Sequence, residues 1–110
     1  MRTLSFLVNE QKISKDPKCD FSNIFPDTKG YLQAKFIFGR GWKNCKVAAS
    51  FWCLGKEYPA IVNRDGVCLI PDESLKWRNF KVSLTGIRDG YKITTNKVTV
   101  EIGLPQSHWL

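Results

Sequence analysis

The sequence predicts an all-β fold: a sandwich or barrel of about seven or eight short antiparallel strands in a single domain. Three observations point there. Apolar and polar residues alternate with a period of two through most of the chain, as in strands that lay one face on a core. Turn signals such as NRDG at 63–66 and RDG at 88–90 separate these runs. Aromatic residues make up 13% of the chain, with seven Phe and four Trp, and such side chains pack well on a pleated surface. At 110 residues and 43% hydrophobic content, the chain can bury a core without disulfide or metal staples.

The elements follow in order. In TLSFLV, Leu4, Phe6 and Val8 share one face. Residues 11–30 hold Pro17, Asn23, Pro26 and several charges, and read as an irregular arm or long loop carrying one short strand. In YLQAKFIF, Leu32, Ala34, Phe36 and Phe38 face the core, opposite Tyr31, Gln33, Lys35 and Ile37. In KVAASFWCL, Val47, Ala49, Phe51 and Cys53 point inward, which puts Trp52 on the outer face. EYPAIV and VCLI, joined by NRDG, read as a β-hairpin, with Pro59 confining the first run to a sheet edge or a bulge.

After Pro71, DESLKW suits one or two helical turns. Proline fits a first turn, and Asp72 and Glu73 complement the positive end of the helix dipole. Such a crossover lets the chain leave one strand and re-enter the fold elsewhere, in the facing sheet, where a tight hairpin would force the two strands to be neighbours. Trp77, which closes this turn, is expected to plug the end of the sandwich. FKVSLTG then places Phe80, Val82 and Leu84 on the core and closes on Gly86. A turn at Asp89-Gly90 leads into the last strands, where Val98, Val100 and Ile102 alternate. The tail, residues 103–110, leaves the last strand as a loose end or a docking segment. The expected core is Phe36, Val47, Phe51, Leu69, Phe80, Val82 and Val100.

Composition limits the chemistry. Net charge is +7, but the basic residues are scattered singly from Arg2 to Lys97, which favours a solvated mixed-charge surface over a dedicated basic patch. The four cysteines, Cys19, Cys45, Cys53 and Cys68, include no CxxC pair, and the single histidine, His108, lies in the tail. No metal or cofactor is therefore expected, and the cysteines read as small buried hydrophobes with free thiols. General acid–base catalysis needs a histidine or paired carboxylates with shifted pKa values. Asp72 and Glu73 have a helix-start role, while Ser50 and Ser83 have no base nearby in sequence. There is no phosphate-binding glycine loop, and GRGW at 39–42 reads as a turn. The expectation is a non-enzyme with no catalytic residues. The N-terminus lacks a signal-peptide pattern and no apolar run is long enough to span a bilayer, so a soluble protein made in a cytoplasm, without a membrane partner, is expected.

One set of features carries a resemblance. Trp42, Ala49 with Phe51, Tyr58, the run from Gly66 to Pro71, Leu75, the strand Phe80 to Gly86, and Thr94-Thr95-Asn96 followed by Val98 and Val100 occur in that order. Together they resemble the immunoglobulin-like β-sandwich domain of phage tail and baseplate proteins, as at the N-terminus of upper baseplate proteins from phages of Gram-positive bacteria. The resemblance spans roughly residues 31–102 and leaves 11–30 unmatched. It implies an immunoglobulin-like sandwich acting as a structural virion component, in a tail, baseplate or capsid-attached position. Such a protein would be made in the host bacterial cytoplasm and would contact other virion proteins or copies of itself.

On this reading Trp52, Trp109 and Leu110 are the expected contact residues. A receptor- or carbohydrate-binding module of the same particle is the alternative, with Trp52, Tyr58 and Trp77 as sugar platforms. Nucleic-acid binding through Trp52 and the lysines Lys43, Lys46 and Lys56 ranks third, because their spacing defines no patch.

Overall fold

A computed structural model describes residues 1–103. Its strands are β1 (Arg2–Asn9), β2 (Lys12–Lys15), β3 (Leu32–Phe38), β4 (Lys46–Cys53), β5 (Lys56–Val62), β6 (Val67–Leu69), β7 (Asn79–Arg88), β8 (Tyr91–Thr94) and β9 (Val98–Glu101). They form a two-layer β-sandwich. One sheet has the order β2-β1-β3-β6; the other runs β5-β4-β7-β8, with β9 also paired to β7. The strand count exceeds the expectation because β7, ten residues long, serves two partners along one edge. β9 pairs with its first half and β8 with its last.

Within the five-stranded sheet, the order β5-β4-β7-β8 corresponds to the C′-C-F-G order of immunoglobulin-type sandwiches, and β3 paired with β6 corresponds to B with E. The first sheet departs from an all-antiparallel arrangement at one place: β1 and β3 run parallel, from Arg2 opposite Leu32 to Val8 opposite Phe38. Parallel neighbours need a long crossover connection. The hairpin strand β2 and the segment after it supply one, which gives the irregular N-terminal stretch a topological job.

That stretch does not stand off as an arm. Ile13 and Ile24 are fully buried in the core. The Arg2 guanidinium donates to the carbonyls of Asp20 (2.9 Å), Ser22 (2.5 Å) and Asn23 (3.0 Å), and Lys76 pairs with Asp27 at 3.1 Å. Hydrogen bonds from the Ser22 hydroxyl and backbone N–H, helped by Arg2, hold the Asp20 carboxyl below its ordinary pKa.

The core lies between the sheets. Leu4, Phe6, Val8, Ala34 and Phe36 of the first sheet meet Ala49, Phe51, Phe80, Val82, Leu84 and Val100 of the second. Two expected core residues fall elsewhere. Leu69 is 50% exposed, and its neighbour Cys68 turns inward opposite Ala34. The run VCLI is apolar throughout, so it carries no alternation from which to read its register; cross-sheet pairing sets it. Val47 is only half-buried, at the open end of the sandwich. Burial pushes the Cys68 thiol up to about 12, so it stays protonated and inert at neutral pH.

The NRDG hairpin and the Trp77 plug also differ from expectation. NRDG is not a hairpin: β5 and β6 belong to different sheets, and Asn63 organises the corner by accepting from the N–H groups of Asp65 and Val67. The tight hairpin is instead β4–β5, closed by Leu54 (φ 51°) and Gly55 (φ 78°), both left-handed as a two-residue type I′ turn requires. A leucine at such a position gives no sequence signal. Trp77 does not plug the sandwich. It is 46% exposed under the Arg78 guanidinium, while Leu75 and Ser74 of the 3-10 turn Asp72–Leu75 are buried. That turn carries the chain from β6 in one sheet to β7 in the other.

Gly86 does not end its strand; β7 continues to Arg88. A Cβ at Gly86 would lie 2.7 Å from the Trp42 ring, so the glycine makes room for a buried tryptophan whose Nε1–H donates to the Glu10 carbonyl at 2.8 Å. Asn96 ties the sheets together at the same side of the fold. Its Oδ1 accepts from Ile13 N–H (2.8 Å) and its Nδ2 donates to Ile13 C=O (3.2 Å), in the manner of a ladder rung between β2 and the segment before β9.

Candidate interaction face

The outer surface of the five-stranded sheet is built by alternation. On β4 every inward Val47, Ala49, Phe51 or Cys53 is flanked by an outward Lys46, Ala48, Ser50 or Trp52. Cross-strand registry completes the rows. Ile61, Ala48 and Thr85 form one, Pro59, Ser50 and Ser83 the next, and Glu57, Trp52 and Lys81 the third. Most of the central side chains are small. The large ones stand at the margins: Ile61 on edge strand β5 is 81% exposed and Ile87 on β7 is 54% exposed.

Trp52 lies on this outer face, where the alternation put it, but it is not a free platform. Its Nε1–H donates to Ser83 Oγ at 3.1 Å, and the Lys97 ammonium sits 3.7 Å from the ring centroid. Such a cation–π contact is worth about 0.5–1 kcal/mol at an exposed site. Beside it, the Ser50 hydroxyl donates to Glu57 Oε2. The indole is thus held by two partners, Ser83 on β7 and Lys97 on the segment before β9. Trp109 and Leu110, the other two expected contact residues, lie outside the described residues.

The apolar end of this face continues into a groove of about 900 Å³ that wraps round the end of the sandwich. Its floor combines outward Ala48, Ile61 and Ile87 with inward Val47, Phe38 and Trp42. Lys46 and Arg64 stand on its rim, with Asn44 and Asn63, and no carboxylate lines it. Val47, half-buried, is the β4 residue at which the core side of the sheet opens into the groove. Across the whole face, Lys46, Lys81, Lys92 and Lys97 outnumber Glu57 and Glu101, so the surface is net cationic.

Sequence reasoning found Trp52 through period two, and missed Ile61, Ile87, Ser83 and Lys97. Ile61 precedes Val62 in an unbroken apolar pair, so which of the two faces out is set by pairing with β4. Lys97 reaches Trp52 from a connection remote in sequence. Tyr58 lies on the inner side of β5 and Trp77 on the 3-10 turn, so the structure does not gather them with Trp52 into one platform.

Among the described residues, no group of three or more His, Cys, Asp or Glu side chains converges, and no helix is long and apolar enough to cross a membrane. The cysteines are free, with Cys53 and Cys68 buried and Cys19 and Cys45 half-buried. Among known proteins, no family model, no curated protein and no solved structure matches the chain.

Proposed function

We propose that the chain is a non-enzymatic building block of an assembled particle, and that it works through protein–protein contacts made by the outer face of its five-stranded sheet. One observation carries this reading. The face exposes Ile61 and Ile87 beside an apolar groove, on a rigid sheet whose other face is a fully packed core. Exposed apolar surface next to a cleft, rimmed by polar groups, marks an interaction site in a folded protein. The pinned Trp52 adds an aromatic anchor of the kind that interfaces favour.

The particle is proposed to be a phage virion, with the chain in a tail, baseplate or capsid-attached position and made in the host bacterial cytoplasm. Support for that placement is the ordered set of residues from Trp42 to Val100 described above, together with the C′-C-F-G strand order. Other virion proteins are then the partners. The alternative, a receptor- or carbohydrate-binding module of the same particle, has less support, because Lys97 covers the indole face on which a sugar ring would stack. Nucleic acid remains the third reading; it predicts oligonucleotide binding that falls steeply with added salt.

Peptide mass spectrometry on purified particles from the source tests the proposal. Peptides of this chain at a fixed ratio to the major capsid protein support it. A low ratio points to tail or baseplate and a ratio near unity to a capsid-attached position. Abundance in infected cells with absence from particles overturns it.

A further inference from the structure

Charge and hydrogen-bonding chemistry are unevenly divided between the floor of the groove and its rim. The floor crosses three strands: Ile61 of β5 lies opposite Ala48 of β4, which lies opposite Thr85 of β7, and Ile87 follows one row on, opposite Lys46. At a strand spacing of roughly 4.8 Å the floor is about 10 Å wide. None of these floor side chains but Thr85 is polar. The wall formed by Trp42 is fixed, because its Nε1–H donates to the Glu10 carbonyl at 2.8 Å and its ring packs on Gly86. The groove is therefore preformed, and an occupant need not spend binding energy on ordering it.

The rim offers mostly donors. Lys46 and Arg64 are exposed and can only donate. Among the described residues the ion pair is Lys76 with Asp27, so neither rim cation is paired with a carboxylate. Asp65 and Asp89, the acids nearest in sequence to Arg64 and Ile87, sit in the flanking turns and do not line the groove. Asn63 Oδ1 already accepts from the N–H groups of Asp65 and Val67, at 2.9 and 3.0 Å. What Asn63 has left to offer an occupant is its amide donor.

An apolar floor beside unpaired cations discriminates between partners. A cationic segment meets repulsion, a purely polar one leaves the floor uncovered, and a purely aliphatic one leaves Lys46 and Arg64 without an acceptor. A nucleic-acid strand would find two cations but no free ring to stack on, since Trp42 is buried. We infer that the groove binds a segment of a partner protein in which large aliphatic side chains stand next to Asp or Glu. This rests on the assembly reading above and names the chemistry of its partner. The aliphatic groups cover Ile61 and Ile87, the carboxylate lies beside Lys46 and Arg64, and Asn63 donates to a carbonyl of the segment. Exposed ion pairs add little affinity, so the apolar contact supplies most of the binding and the charges supply the selection. A contact of this width buries less than a standard interface, so one copy binds weakly and repetition in an assembly supplies the strength.

Fluorescence anisotropy with labelled peptide pools and the full chain tests it. One pool mixes Leu, Ile and Val with Asp and Glu; a second replaces the acids by Lys; a third keeps the acids and replaces the aliphatics by Ser. The first is expected to bind, and the other two to bind about tenfold more weakly or worse. Lys46→Glu with Arg64→Glu is expected to reverse the preference, so that the Lys pool binds about tenfold better than the acidic one. Ile61→Ser is expected to weaken the first pool about tenfold and leave the order of the pools unchanged. Cys45, in the groove wall, reports the site: its alkylation is expected to slow when the first pool is bound. The inference is overturned by equal binding of the pools, by no binding from any pool, by a preference that survives charge reversal, or by Cys45 alkylation that ignores the bound peptide. Decanoate, an acidic apolar chain without peptide groups, or a single-stranded oligonucleotide overturns it too by displacing the first pool at lower concentration than unlabelled peptide does. In those cases presence in particles at a fixed ratio leaves the assembly reading standing; absence from particles sinks that reading even if the first pool binds.

Discussion

The two faces of β4 are made from one octapeptide and do different work. Inward, Ala49 and Phe51 sit at 0% exposure against Val82, Leu84 and Phe80, with the Phe51 and Phe80 ring centroids 6.1 Å apart. Outward, Ala48, Ser50 and Trp52 lie half-covered on a surface whose large apolar groups, Ile61 and Ile87, face solvent. The inner face is closed by the opposite sheet, so each side chain there contributes its full burial to stability. The outer face has no covering layer, so the same residue types contribute little to folding and are available for contact. Location across a single pleat decides whether a hydrophobe serves the fold or an interface.

The largest expected effect breaks the inner face. Phe51→Ala should destabilise the domain by about 3–5 kcal/mol, through lost burial and the cavity left between the sheets. For a small domain that is a large share of total stability, and urea or thermal unfolding should show it directly. The matching outer substitution, Ile61→Lys, should change stability by no more than about 0.5 kcal/mol, because 81% of that side chain is already in water. If the two variants unfolded alike, the distinction between the faces would be wrong.

Gly86→Ala is expected to come next, at about 1–3 kcal/mol, because it adds volume where there is none. The new Cβ would meet Trp42 at 2.7 and 2.9 Å, and that ring is held by its bond to Glu10 and by Phe38 at 5.4 Å. The tryptophan cannot move without disturbing the end of the core that borders the groove. Near-ultraviolet circular dichroism, which reports the packing of buried aromatics, should change along with the unfolding midpoint. An unchanged spectrum and midpoint would mean that the Trp42 ring has slack the structure does not show.

Much of the inner face was legible in the sequence, and the reason is physical. Where apolar residues alternate with polar ones, as in TLSFLV, YLQAKF and FKVSLTG, the period of two assigns the faces without help. Leu4, Phe6, Val8, Leu32, Ala34, Phe36, Phe80, Val82 and Leu84 are all buried as that period requires. Where the run is apolar on both sides, local sequence is silent. Leu69 turns outward against expectation, while Cys68 is buried as expected, because β6 takes its register from β3. The interaction face is harder still to read. Ile61 and Ile87 look like core residues by type, and Lys97 joins Trp52 only through the fold. The parallel pairing of β1 with β3 had no local signature, since it depends on where a long, irregular connection returns the chain.

Asn96→Ala should cost about 1–3 kcal/mol, because it leaves the buried Ile13 backbone N–H and C=O without their side-chain partners. Its effect should also be local. Hydrogen exchange at Ile13 is expected to accelerate well before exchange at Phe51 or Val82, because β2 is a short edge strand held on its open side by this contact. Uniform acceleration across both sheets would show that Asn96 supports the whole sandwich and not just the edge of one layer.

The smallest effect sharpens the comparison from the turn that joins β4 to β5. Leu54 holds a φ of 51° and is 67% exposed, so its side chain gains little from burial while its backbone sits in a region that disfavours branched and bulky residues. Leu54→Asn creates Asn-Gly, the pair most at ease in a type I′ turn, and removes an exposed hydrophobe. Stability should rise by about 0.5–1 kcal/mol, in line with relief of left-handed strain at a single residue. The turn lies at the far end of β4 from the groove, so alkylation of Cys45 in the groove wall should keep its rate. A gain in stability together with an unchanged Cys45 alkylation rate would separate what holds the hairpin together from what the hairpin displays. A loss of stability would mean that Leu54 makes a contact in the folded chain that its exposure does not suggest.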